Sequence, residues 1–274
     1  MLVRTMDQLE AEGRVIPIAH GRATAVRLLT KRDGLNFSIS EARASKAGES
    51  DLWYKNHWEA NFVRSGCAVL ENRTTGERWD LNPGVLYCVG PTDKHRIIRE
   101  EESDMRIISV FNPPIEGEET HDADGAYPPT GSIPKGKDSM FVKTEEDVRE
   151  AGMEVVIANL ATSRRYVTSA DNLGFSLHSV LLSAGAKGDC WYKNHWEGNV
   201  VLDGEVKITD YASGIVHSLG PGGMYLVGPK DRHQIQALSD AHIISVFDPP
   251  LSGTEERDED GGYLPTGPVP RGPV

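Results

Sequence analysis

WYKNHWEAN at residues 53–61 returns as WYKNHWEGN at residues 191–199, one residue changed in nine and an offset of 138. A fixed-offset match of this kind marks an internal repeat. At the same offset NPGVLYCVGPTDKH, ending at His95, matches GPGGMYLVGPKDRH, ending at His233, and IISVFNPP matches IISVFDPP at an offset of 136. The starts repeat too, MLVRT at Met1 answering MFVKT at Met140. The chain is therefore a duplication, with copies expected at 1–136 and 137–274. The join, PPTGSIPKGKDS at 128–139, reads as an extended linker because Pro, Gly and Ser dominate it.

Each copy opens with a short helix signal. Thr5 with Gln8 forms a capping-box pattern, Thr144 with Asp147 a weaker one, and Gly13 and Gly152 stand where C-caps belong. Beyond these helices, short apolar-polar runs alternate with turn residues, as in VVLDGEVKITDYASGIVHSLGPGGMYLV. Asp203-Gly204, Ser213-Gly214 and Thr75-Gly76 are hairpin signals. The pattern predicts an all-β chain of two tandem antiparallel jelly-roll barrels, each with a short N-terminal helix.

The 274 residues carry a formal charge of −12, a balance that repels nucleic acid and anionic lipid. No window approaches the roughly 18 apolar residues of a membrane span. The first residues lack an apolar run after their basic residue, so no secretory signal is read and a cytoplasmic address is expected. Cys67, Cys88 and Cys190 make no paired framework and are expected as buried thiols. A small-molecule ligand is the expected partner.

The two copies serve as an alignment of two. Glu59, Tyr87 and His95 persist as Glu197, Tyr225 and His233. On a strand, residues two apart share a face, so His57 is expected to point with Glu59 and His195 with Glu197. Carboxylate with imidazole suits iron, manganese or zinc, whereas calcium and magnesium ask for oxygen throughout. Phenol is a direct ligand only if the ion lowers its pKa, and Tyr87 could instead bond a bound water. Taken singly, each residue also fits a satisfied core position or a surface ion pair. Trp53, Trp58, Trp191 and Trp196 read as barrel packing.

On these residues the chain resembles the ectoine synthase family of the cupin superfamily. The carrying stretches are WYKNHWE, PGxxY followed by DKH or DRH, VFNPP or VFDPP, and G-x-E-x-x-D-x-D-G-x-Y, at Trp53, Pro83, Val110 and Gly117, and again at Trp191, Pro221, Val246 and Gly253. The resemblance implies a duplicated cupin, and an iron(II) site at Glu59, Tyr87 and His95 and at Glu197, Tyr225 and His233, with zinc or manganese as alternatives. It implies substrate contacts at Arg27, Phe111, Arg165 and Phe247, and catalytic roles for Tyr54, Glu119, His121, Tyr192 and Glu255. The implied reaction is ring closure of an acetylated diaminobutyrate with loss of water, on an amino-acid-derived substrate. It also implies two halves paired as an intrachain pseudo-dimer, with further homodimerisation open.

The sequence departs from that family at the substrate cradle. A family tryptophan falls on Ala23 and Ala161, a cysteine on Ser109 and Ser245, and two polar wall positions on Ser40 and Ala42, or His178 and Val180. Arg257 stands where copy one has His121. The altered cradle keeps two other classes open: a different metal-dependent cupin lyase or oxygenase acting on a related zwitterion, and a non-catalytic solute binder.

Overall fold

The computed structural model describes residues 1–100 and 102–273. It forms two compact units, Leu9–Glu146 and Met1–Gln8 with Asp147–Val274. In the first, a seven-stranded sheet runs in the order Phe141–Lys143, Leu86–Val89, Trp58–Ser65, Met105–Asn112, Ser38–Ala44, Ala23–Leu29, Val15–Ile18. A four-stranded sheet of Gly48–Leu52, His95–Arg99, Ala68–Asn72 and Arg78–Leu81 completes it. One apolar core draws on both sheets, Val63 and Phe111 from the larger and Leu70 and Ile97 from the smaller. The second unit repeats the plan, seven strands against four. This is the all-β tandem jelly roll expected from the alternating pattern.

The compact units do not follow the repeat boundary at 136/137. Phe141–Lys143, the opening strand of copy two, pairs with Leu86–Val89, setting Val142 opposite Tyr87. Leu2–Arg4, the opening strand of copy one, pairs with Met224–Val227, setting Val3 opposite Tyr225. Each sheet is thus closed at one edge by the first strand of the other copy. The physical reason is edge protection, since the Tyr-bearing strand would otherwise present unpaired backbone groups.

The local signals hold. Thr5 N–H donates to Gln8 Oε1 at 2.8 Å, the capping box at the helix Met6–Ala11, and Glu145–Glu150 is its counterpart. Gly76 N–H donates to Asn72 O at 2.8 Å and Gly214 N–H to Asp210 O at 2.8 Å, closing the expected hairpin turns. Two single 3-10 turns, Lys31–Asp33 and Ser169–Asp171, were not expected. The signal for them was a Thr-x-x-Asp capping pattern in both copies, where Thr30 N–H donates to Asp33 at 2.8 Å and Thr168 N–H to Asp171 at 2.9 Å. Cys88 and Cys190 are buried as expected, but Cys67 is exposed, because it sits in the hairpin turn between Trp58–Ser65 and Ala68–Asn72. No helix among the described residues is long and apolar enough to cross a membrane.

The join at 128–139 is docked on the first unit. His57 Nε2 bonds Thr130 Oγ1 at 3.2 Å, and Lys31 Nζ donates to Thr130 O at 2.8 Å. Trp58, 2% exposed, lies with its indole against Gly90 and Gly136, and a Cβ built on either glycine would enter the ring's van der Waals envelope. Trp196 is seated the same way between Gly228 and Gly272, and its Nε1 donates to Pro270 O at 3.0 Å. Gly136 and Gly76 share a left-handed backbone, but a Cβ on Gly76 would meet nothing within 4 Å. Gly136→Ala should therefore cost about 1–3 kcal/mol more than Gly76→Ala, the range for overpacking a filled site. Urea unfolding of the two variants measures the difference, and equal losses would mean that Trp58 does not hold the join.

Candidate active sites

In the Leu9–Glu146 unit, sheet register places the candidate residues in one row. Arg27 pairs with Ser40, Ser40 with Ser109, Ser109 with Asn61 and Asn61 with Tyr87. Because residues two apart share a face, Glu59 projects on the same side as Asn61 and next to Phe111. The row lines a cavity of about 80 Å³ that Tyr54, His121 and Tyr127 also face.

Arg27 is 1% exposed. Its Nη1 donates to Ser40 Oγ at 3.1 Å, and Nη2 donates to Glu119 O at 3.0 Å and Tyr127 Oη at 3.2 Å. Its Nε has no hydrogen-bond partner. A guanidinium so far from water is tolerable only when partners surround it, and the Nε–H is a donor still open to an acceptor, as it is on Arg165.

His121 sits in a hydrogen-bonded line whose direction can be worked out. Ala19 N–H donates to Nδ1 at 2.9 Å, so Nδ1 is the acceptor nitrogen and Nε2 carries the hydrogen. Nε2–H then donates to Tyr54 Oη at 2.8 Å, and the Tyr54 proton is free of that bond. Burial, then the nearby Glu59, holds the Tyr54 pKa well above its usual 10, so the phenol keeps its proton. The His121 ring stacks on Tyr127 with centroids 4.6 Å apart. Phe111 meets Tyr54 edge-on at 5.5 Å.

Burial pushes the Glu59 pKa up to about 7, against the pull of the Asn61 and Ser109 side chains. Burial, then Glu59, raises Tyr87 well above 10. Burial lowers His95 to about 4, so the ring is neutral. Its Nδ1 donates to Asp93 O at 3.1 Å, which leaves the lone pair on Nε2, and that buried Nε2 has no hydrogen-bond partner. Glu59 and Tyr87 line the cavity, while His95 packs beside Tyr54 with ring centroids 6.0 Å apart. An orphaned imidazole lone pair near a buried carboxyl and phenol fits a cation, and the Asp93 carbonyl gives the ring the orienting bond that ligand histidines need. Among the described residues, His, Cys, Asp and Glu form no group of three at metal-holding range.

Two expectations change. His57 precedes the strand Trp58–Ser65, so the two-residue face rule does not govern it, and its ring ties Thr130 instead. Glu119 is outside the cavity lining: its carboxylate accepts the N–H groups of Glu116 and Gly117 and braces their loop. What Glu119 gives the site is its carbonyl, on Arg27. Tyr127 and Asn61 were not singled out from sequence, although Tyr127 is the closing residue of the G-x-E-x-x-D-x-D-G-x-Y stretch.

The second unit repeats the row as Arg165, His178, Ser245, Asn199 and Tyr225. Glu197, Tyr225 and His233 line one cavity, smaller at about 50 Å³, and His233 Nδ1 donates to Asp231 O at 2.9 Å. Burial raises Glu197 to about 7 as it does Glu59. The rest differs. His178 occupies the Ser40 position against Phe247, ring centroids 5.2 Å apart, and Arg165 no longer lines the cavity. Arg165 lies 3.7 Å from Glu255, whose carboxylate braces the Ser252–Gly253 loop. In place of the imidazole beside Tyr54, Tyr192 has Arg257, which donates to Gly261 O at 2.8 Å and Cys190 Sγ at 2.9 Å.

Comparison with known proteins agrees with this duplication. The ectoine synthase family model matches residues 1–131 and again 140–266. The L-ectoine synthase of Saccharopolyspora erythraea is 40% identical over 124 residues, which span 45% of this chain and 91% of that protein. The L-ectoine synthase of Desulfatibacillum aliphaticivorans is 38% identical over 128 residues, 47% of this chain and 97% of that protein. Among solved structures, Lactobacillus farciminis oxalate decarboxylase in its formate complex aligns with a TM-score of 0.61 at 15% identity, covering 84% of this chain and 82% of that one, a likeness of fold. With the family sequence present twice on a pair of jelly-roll barrels, the chain belongs to the ectoine synthase family and is a lyase of cupin fold.

Proposed function

We propose that the cavity of the Leu9–Glu146 unit closes a ring on an acetylated diaminobutyrate with loss of water. The observation that carries this reading is the line from Ala19 N–H through His121 to Tyr54, which ends in the same cavity as Arg27. The free amine of the substrate attacks the amide carbonyl carbon; a C–N bond forms, the C–O bond breaks, and the oxygen leaves as water. Two protons leave with it, both originating on the substrate nitrogens. Tyr54 gives one to the departing oxygen while His121 Nε2–H steadies the phenolic oxygen, and Tyr54 is restored by the proton the attacking nitrogen sheds. Arg27 holds the substrate carboxylate through its idle Nε–H, and Phe111 walls the carbon chain. Glu119 acts through Arg27, as a positioning residue.

A divalent ion, iron(II) first with zinc or manganese as alternatives, would be held by Glu59, Tyr87 and His95 and, when bound, supplies Lewis-acid polarisation of the carbonyl. The same set in the second unit is Glu197, Tyr225 and His233. There a second reading, solute binding without turnover, is favoured by Arg257 at the His121 position and by His178 in the row. Tyr192, Phe247, Arg165 and Glu255 then shape a ligand cavity.

Metal-loaded protein incubated with acetylated diaminobutyrate should yield the cyclic product by chromatography, and no product from either acetyl isomer would overturn the reading. Tyr54→Phe should lower kcat by about 10²- to 10⁴-fold, the span of general acid–base catalysis, with KM little changed. Tyr192→Phe should leave the rate within about twofold, since the second cavity is read as non-catalytic.

Elemental analysis tests the ion separately. His95→Ala should reduce metal affinity by more than the roughly 10- to 100-fold that loss of a mere orienting partner costs, whereas His57→Ala should keep the metal and lose only stability. Equal metal loss from both would place the ligand set wrongly.

A further inference from the structure

The register that forms the polar row also grades the cavity along its length. On the strand Ala23–Leu29, Arg27 is followed on the same face by Ala25 and Ala23. On Ser38–Ala44, Ser40 gives way to Ala42 and Ala44. On Met105–Asn112, Ser109 gives way to Ile107 and Met105. These changes fall in step, because Ala42 pairs with Ala25 on one side and with Ile107 on the other, and Ala44 with Met105. Leu52 and Ile97 of the smaller sheet face the same stretch of cavity.

Past the Arg27–Ser40–Ser109 row the wall therefore offers no hydrogen-bonding side chain for two alternate positions on three strands. At 3.3 Å per residue these four residues of strand give a sleeve roughly 13 Å from the Arg27 level to the Ala23 level. Water inside such a sleeve would find few polar partners. On the smaller sheet the lining also carries two polar side chains, Ser50, which pairs with Ile97, and Arg99.

The second unit shows what filling looks like. Its residue at the Ala42 position is Val180, the row residue at the Ser40 position is His178, and the cavity drops from about 80 to about 50 Å³. The barrel thus tolerates a larger side chain at the Ala42 position, whereas Ala44 opposite Met105 is answered by Leu182 opposite Ala241, an exchange of sizes.

We infer that the cavity of the Leu9–Glu146 unit takes an amphiphilic substrate, a carboxylate-bearing diamine acylated with a chain longer than acetyl, its tail lying in the Ala25–Ala42 sleeve. This rests on the ring-closing reading and replaces the acetyl group of its substrate with a longer acyl chain. The polar row holds the head as before, and the acyl carbons replace water against alanine and isoleucine, an effect of several-fold in affinity for each methylene buried.

The test uses the full metal-loaded chain with acetyl, butanoyl and hexanoyl diaminobutyrate, reading product by chromatography and binding by calorimetry. Binding should tighten at least tenfold from acetyl to butanoyl, and kcat/KM should follow. Ala42→Val, which installs the residue found at the matching place in the second unit, should remove that gain, so that butanoyl and hexanoyl substrates bind no tighter than acetyl. Ala25→Val tests the opposite wall in case the first variant repacks. Turnover of acetyl substrate with equal or weaker binding of the longer chains would overturn the inference and leave ring closure standing. Absence of turnover for the whole series would sink ring closure, and the calorimetric order would still decide for or against the sleeve.

Discussion

Everything in each unit hangs on one cross-sheet row, Arg27–Ser40–Ser109–Asn61–Tyr87 in the first and Arg165–His178–Ser245–Asn199–Tyr225 in the second. Since side-chain period on a strand is two, slipping any one pairing by a residue would turn that strand's contribution out of the cavity. The row is held at its far end by an added edge strand, with Val142 opposite Tyr87 and Val3 opposite Tyr225. The phenol of each candidate ligand set therefore depends on a strand that belongs, by sequence, to the other repeat. Duplication and site formation are coupled through backbone hydrogen bonds.

Burial is the second constraint. Arg27 and Glu59 are both nearly inaccessible, and a lone charge in that setting costs several kcal/mol. The two respond differently. Arg27 cannot give up its proton and is surrounded by a hydroxyl, a carbonyl and a phenol. Glu59 can take one, and its pKa rises toward 7. A cavity in which the cation is fixed and the carboxyl is undecided is poised to accept positive charge at the carboxyl end and negative charge at the arginine end.

Much of this was legible in the chain itself. The repeated WYKNHWE stretch and the turn glycines sufficed for a tandem jelly roll, the retained Glu and Tyr for two residues that line its cavity, and the family resemblance for Arg27 and Phe111 in the same lining. Strand exchange was not, because pairing of Val142 with Tyr87 across 55 residues, or of Val3 with Tyr225 across 222, is a choice among edges that share the same hydrophobic pattern. The direction of the His121 line was also hidden, since it is set by the backbone N–H of Ala19, 102 residues away, and backbone groups leave no mark in side-chain identity. Glu119 misled for a related reason: its type suits proton transfer, but two amides of its own loop take both oxygens.

The two cavities differ in a way that follows from where duplication relaxes constraint. The ligand-type residues Glu, Tyr and His, and the loop-bracing Glu, are kept in both units because strand register and loop closure need the same geometry each time. Buried core positions changed as well, Leu28 to Tyr166 and Phe62 to Val200, but two changes fall on the cavity itself. Ser40 becomes His178, which takes the space before Arg165 and separates that guanidinium from the cavity. His121 becomes Arg257, whose guanidinium cannot pass a proton along as a neutral imidazole can, because its pKa lies beyond 12. Tyr192 consequently sits in a buried setting like that of Tyr54 but beside the Cys190 thiol and Arg257 in place of an imidazole. The two barrels thus share the scaffold of the site and differ in the group beside its buried tyrosine, His121 at Tyr54 in one and Arg257 with Cys190 at Tyr192 in the other.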